Sequence, residues 1–191
     1  MPIAFKSEFK IPRFLLCNWR SGGDVPVKID FQDDEATHTH TVHSAKGNMV
    51  VSHQGVFPEP VVRQDETAFH LLLGHPIIGD KIDVDGALDG IWNEGKANED
   101  FIRHLNGEFL ALRLDHFSGD LSVVNDRYNS FPFYYWYDET TEIFLGSPYF
   151  SELWTCVNNL CLGKLNQACL FEFLWFQRIL GEKSYDENVR Y

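Results

Sequence analysis

Ser21-Gly22-Gly23-Asp24, placed directly after the strand-like run Phe14 to Trp19, is the first stretch whose residue types could do chemistry. A Ser-Gly-Gly-x-Asp-Ser loop cradles pyrophosphate, because glycine N–H groups wrap the phosphates and a helix N-terminus follows. Here Val25-Pro26-Val27-Lys28-Ile29 follows, which alternates and contains proline, and the spacer and closing serine are missing. A short motif needs its structural context, so SGGD reads as a hairpin connection between two strands. Cys17 is the second candidate. It lies inside an apolar run, and although Arg13 and Arg20 flank the strand, no electropositive accessible setting for a thiolate is visible. Cys17 therefore reads as core, as do Cys161 and Cys169 beside the last helix. His38, His40 and His43 form the third candidate. The first two share a strand face and the third falls opposite, with no carboxylate or cysteine at a convincing spacing. The four cysteines, Cys17, Cys156, Cys161 and Cys169, form no CxxC pair. No metal and no cofactor are expected in this chain.

A chain of 191 residues with 44% hydrophobic and 15% aromatic residues suits one folded domain with a sizeable core. Twenty-eight acidic residues against 16 basic ones leave a net charge of −12, which disfavours nucleic acid and anionic membrane surfaces as partners. No apolar run approaches the roughly 20 residues that span a bilayer, and the opening MPIAFKSEFKIPRF has no apolar core of signal-peptide length. The expected location is the cytoplasm.

The elements that must position any site follow from periodicity. Residues 14 to 57 read as an antiparallel meander: FLLCNWR, VPVKIDF, THTHTVH and MVVSHQGV. PEPVVRQDE reads as a proline-bounded loop, and AFHLLLGHPI as a buried central strand. Phe101, Ile102 and Leu105 have helical spacing, with Asn106-Gly107 as the stop. EFLALRLD, LSVVND, PFYYWYD and TEIFLGS are strands, and from residue 149 the pattern is helical, with Asn166 a candidate N-cap. Strands, helix, strands, helix is the order of an α+β layered domain.

The stretch from Phe101 to Leu153 is more specific. Leu105, Gly107, Phe109 and Asp115 form a helix-to-strand passage, and Asp126, Arg127, Asn129, Pro132, Tyr134 and Tyr135 a signature turn and strand. This resembles the N-terminal glutaminase-type domain (class II glutamine amidotransferase) of the asparagine synthetase family, which shows L-x-G-x-F and then R-D-x-x-G-x-x-P-L-Y-Y. Asn129 stands where that family has glycine, and asparagine tolerates the same left-handed backbone. The resemblance covers roughly residues 69 to 191.

The resemblance implies an Ntn-hydrolase-like αββα sandwich, two antiparallel sheets between helices. It implies a domain over residues 1–160 and, over 161–191, a linking helix and loop toward an ATP-dependent synthetase domain absent from this chain. ATP and magnesium belong to that missing domain. The family's nucleophile is a mature amino-terminal cysteine, whereas this chain begins Met1-Pro2-Ile3. Leu73-Gly74 stands where the family has Asn-Gly, and Gln54-Gly55 where it has the arginine that binds the glutamine carboxylate. Loss of the nucleophile alone abolishes such chemistry, so the domain reads as a glutaminase fold without catalytic residues. Gln54, Gly74, His75, Asn106 and Gly107 are the candidate ligand-pocket residues. Asp126 and Arg127 are either an ion pair that fixes the turn, with Arg127 important to stability, or ligand contacts. Residues 149–191, with Trp154, Phe171, Trp175 and Phe176, are the expected edge toward a synthetase domain in cis or toward a second copy. The alternative is a stand-alone small-molecule-binding or regulatory module of the same fold. A third reading, an active hydrolase after cleavage before Cys17, needs the loss of residues 1 to 16.

Overall fold

Alternation of apolar and polar residues places most of this chain in strands, and the computed structural model, which describes residues 14–20, 37–54, 59–160, 166–169 and 189–190, is a mixed α+β fold dominated by antiparallel sheets. The first strands are β1 (Phe14–Arg20), β2 (Thr37–His43), β3 (Gly47–Gln54), β4 (Val61–Gln64), β5 (Ala68–Ile78) and β6 (Lys81–Ile82). Helix α1 (Val84–Ile91), the short strands β7 (Trp92–Asn93) and β8 (Lys96–Ala97) and helix α2 (Glu99–His104) follow. Strands β9 (Asn106–Asp115), β10 (Leu121–Asn125), β11 (Tyr134–Asp138) and β12 (Ile143–Ser147) precede helix α3 (Phe150–Asn159), and β13 (Val189–Arg190) comes last.

Among the described residues one sheet has the order β13-β11-β12-β1-β3-β2 and the other β10-β9-β5-β4, with β6 on β5. Period-two alternation sorts their side chains. Leu16, Met49 and Val51 from the first sheet meet Phe69, Leu71, Leu73, Leu110 and Leu112 from the second in an inter-sheet core. Each such leucine contributes roughly 2 kcal/mol on leaving water. The opposite face of the first sheet, with Leu15, Cys17, Trp19 and Trp136, is covered by Leu153, Cys156 and Val157 of α3. The opposite face of the second, with Leu72, Phe109 and Ala111, is covered by Ala87, Leu88 and Ile91 of α1 and by Phe101 and Ile102 of α2.

Several local expectations change. The expected proline-bounded loop contains β4: Val61 and Val62 pair with Leu72 and Leu71, and Arg63 reaches Asp85 at 2.6 Å and also Asp89 on α1. Helix α1 has helical spacing at Val84, Ala87, Leu88 and Ile91, but Gly86 and Gly90 lower its helix propensity and obscure it in the sequence. Gly90 has a packing reason, since a Cβ there would lie 2.1 Å from the Phe101 ring. Asp83 caps α1 by accepting the Gly86 N–H at 2.8 Å. Asn106-Gly107 does not stop the helix but opens β9, because Leu105 has already turned into extended backbone. Residues 14–57 are not a simple meander: β1 pairs with β3 and β12, and β2 lies beyond β3. The SGGD turn and the VPVKIDF strand lie outside the described residues. Asn166 accepts the Cys169 N–H at 3.2 Å, as an N-cap does.

Candidate functional site

Strands β5 and β9 bring four of the five expected pocket residues together. Gly74 pairs with Phe109, His75 with Glu108, Pro76 with Gly107 and Ile77 with Asn106. Gly74 (φ +97°) and Gly107 (φ +94°) hold left-handed backbone, and the close approach is reciprocal. A Cβ on Gly74 would lie 2.2 Å from the Glu108 carbonyl oxygen, and one on Gly107 1.9 Å from that of His75. These glycines are filled by backbone. Gln54 is in the other sheet, at the end of β3 opposite Thr37. Leu73, where the resemblance places an amide donor, is fully buried in the inter-sheet core.

The signature turn is built around one carboxylate. Asp126, 3% exposed, accepts the N–H groups of Tyr128 (3.1 Å) and Ser130 (2.9 Å) at Oδ1 and of Phe131 (2.8 Å) at Oδ2. Its own N–H donates to the Phe109 carbonyl at 3.1 Å, which pins the turn to β9. Asn129 sits at φ +52° and accepts the Asn125 amide N–H at 2.6 Å. The side chains of Asp126 and Arg127 do not form an ion pair: the carboxylate is taken up by backbone donors, and the exposed Arg127 guanidinium lies 4.9 Å from the centre of the Tyr128 ring. The aspartate reaches forward to close the turn with backbone N–H groups, while the Arg127 guanidinium meets Tyr128.

This turn borders a cavity of about 650 Å³ between the two sheets. On one wall Asn18, Phe144 and Tyr137 form a row across β1, β12 and β11. In the next row Leu16, Gly146 and Tyr135 are neighbours. Gly146 leaves the space that the Phe133 ring occupies, since a Cβ there would lie 2.4 Å from it. Phe144 stacks with Tyr135 (5.9 Å between centroids) and Phe133 (6.4 Å). Leu121, Val123 and Asn125 of β10 face them, and Asp126, Arg127 and Asn129 close the polar end. The Asn18 Nδ2 is buried and has no hydrogen-bond partner among the described residues. Its polar lining consists of Asn18, Asn125, Asp126, Arg127, Asn129 and the hydroxyls of Tyr135 and Tyr137. None of the five expected pocket residues lines this cavity, whereas Asp126, Arg127, Asn129 and Tyr135 do. Tyr134 points the other way, edge-on to Phe150 of α3 at 5.8 Å, and the half-buried Pro132 links Phe131 to Phe133.

The cysteine and histidine candidates lie elsewhere. Cys17 is fully buried on the α3-covered face, and burial, with Cys156 beside it, pushes its thiol up to about 12. Burial first and Glu152 second raise Cys156 to about 11. His38 and His40 do share a face, and both stack on His53 of β3, with His40 Nε2 3.2 Å from His53 Nε2. Burial and then the charge of His38 lower the His40 pKa. His43 instead bonds Asn48 at 2.7 Å. Among the described residues no group of three or more His, Cys, Asp and Glu is placed to hold a metal ion. Trp154 is half-buried and stacks on Phe150, while Phe171, Trp175 and Phe176 lie outside the described residues.

Sequence reasoning missed Asn18, Tyr137, Phe144 and the β10 wall. A signal was present: Asn18 has the same strand parity as the core residue Leu16, a polar residue on an apolar face. Compared with protein-family models, with curated proteins and with solved structures, the chain matches none.

Proposed function

We propose that this chain is a non-catalytic, glutaminase-like domain of an asparagine-synthetase-like, ATP-dependent amide ligase, with an Ntn-hydrolase-type αββα sandwich. The observation that carries the reading is the layering: α3 on one sheet, a shared core between the sheets, and α1 with α2 on the other. Further support comes from the Asp126 turn and from the glycine pair at the positions where that family has its L-x-G-x-F and Asn-Gly motifs. The absence of glutaminase chemistry is argued from Cys17, buried under a helix, and from Leu73, an apolar side chain where an oxyanion donor would stand. A synthetase domain in cis would carry the ligase step with ATP and magnesium, fed by free ammonia or another amine, in the cytoplasm. No helix of the described residues is long and apolar enough to cross a membrane. The test is the mass of the product made in the native cell. A product several hundred residues longer, containing an SGGxDS loop and releasing pyrophosphate from ATP, supports the reading. A native product that ends at Tyr191 overturns it.

The cavity beside Asp126 favours a second reading, a small-molecule-binding or regulatory module of the same fold. Its polar end and aromatic wall are what such a module requires.

A further inference from the structure

We infer that the cavity between β10 and the β1–β12–β11 face holds a small organic carboxylate with a flat apolar body. The inference rests on the binding-module reading only in taking this cavity as a ligand site; it adds the chemistry of the occupant and needs no synthetase domain.

Three observations carry it. The first is size: about 650 Å³ lies inside the range, roughly 300–1,000 Å³, of sites for small organic molecules. The second is the wall. Phe133, Phe144 and Tyr135 form a run of nearly parallel rings, with interplanar angles of 22° and 15°, so a planar or narrow apolar body can lie along them. Leu121 and Val123 supply the facing aliphatic surface.

The third is the balance of donors and acceptors. The Asn18 Nδ2 is a buried donor with no partner among the described residues, and such a group favours an acceptor brought in by a ligand. Of the five N–H groups of the Arg127 guanidinium, one reaches the Tyr128 hydroxyl at 3.2 Å. The remaining donors face no carboxylate of the protein among the described residues. Asp126, the carboxylate in the lining, is engaged by three backbone N–H groups and is poorly placed to recruit an amine. Asn129 Oδ1 already accepts from Asn125. The site therefore offers an unpaired amide donor and a guanidinium, and a guanidinium is the group with which proteins recognise a carboxylate.

The experiment titrates 3-phenylpropionate, and separately the neutral 3-phenylpropanol, into the full chain and follows side-chain amide and guanidinium resonances. A Kd on the order of 1 mM is expected for the carboxylate from its size, with the Asn18 side-chain amide among the shifted signals. The alcohol, and Arg127→Gln titrated with the carboxylate, should each bind roughly tenfold more weakly. Val123→Trp, which crowds the aliphatic wall facing the rings, should weaken the Asn18 shift. Equal binding of acid and alcohol at Asn18 overturns the carboxylate inference and leaves the binding module standing. Neither compound moving Asn18 overturns both. A native product ending at Tyr191 removes the ligase reading alone.

Discussion

The Oδ2 of Asp126 accepts the backbone N–H of Phe131, five residues further on, at 2.8 Å, while its Oδ1 takes those of Tyr128 and Ser130. One buried side chain thus closes the turn between β10 and the approach to β11, and does so without Arg127. Asp126→Ala leaves three backbone donors unsatisfied and is expected to cost about 3 kcal/mol, against about 0.5 kcal/mol or less for the exposed Arg127→Ala. Urea unfolding of the two variants measures the difference. Equal losses would mean that the arginine holds the turn after all.

The histidine stack predicts a pH response. The His40 pKa is lowered by burial and by His38, and that of His70 by burial and then by Arg113. A base whose folded value is depressed binds more protons when unfolded. The stability it contributes is full above the ordinary histidine value of about 6.5 and falls as the pH drops below it. The groups that face His40 are His38, His53 and Phe69. His40→Gln should flatten this part of the stability profile, measured by urea midpoints between about pH 5 and 8. An unchanged slope in the variant would exclude His40 as its source.

Cysteine reactivity separates a nucleophile from core. Thiols held at about 12 and about 11 carry almost no thiolate at neutral pH, and both Cys17 and Cys156 are buried. Iodoacetamide should leave both unmodified in the native protein and modify both in urea, as read by peptide mass. Rapid native labelling of Cys17 would revive the hydrolase reading.

Gly107 has no room for a methyl group. Its Cβ would sit 1.9 Å from a carbonyl oxygen, on a backbone at φ +94°. Gly107→Ala is expected to destabilise by roughly 3 kcal/mol or more. The Gly79→Ala control, at φ +65° with nothing within 4 Å, carries the backbone term without the clash. Thermal melts of the pair isolate the steric part.

Much of the sheet structure was legible because period-two alternation is a strong local signal: Leu110, Leu112 and Leu114 on one face of β9 and Phe109 and Ala111 on the other. The turn at Asp126 was legible as a motif, though not the division of labour between Asp126 and Arg127, which depends on side-chain direction. The β1–β3 pairing and strand β4 were hidden because long-range partners, not local residues, decide them. Helix α1 was hidden by glycines whose reason, the Phe101 ring, lies on another element. The cavity was hidden for the same cause: Asn18, Phe144 and Tyr137 are far apart in sequence and meet only across three strands.

The mutual fit of Gly74 and Gly107 also dictates how two long strands find each other. Ten residues of β5 pair with β9, and apolar side chains crowd both faces of the pair, so hydrophobicity discriminates weakly between one alignment and its neighbours. A slip by one residue would put Leu73 or His75 where only a hydrogen fits opposite Phe109, and would turn the inter-sheet leucines toward the helices. The two glycines act as a notch and its counterpart: they admit a single alignment, and with it they determine which leucines build the core.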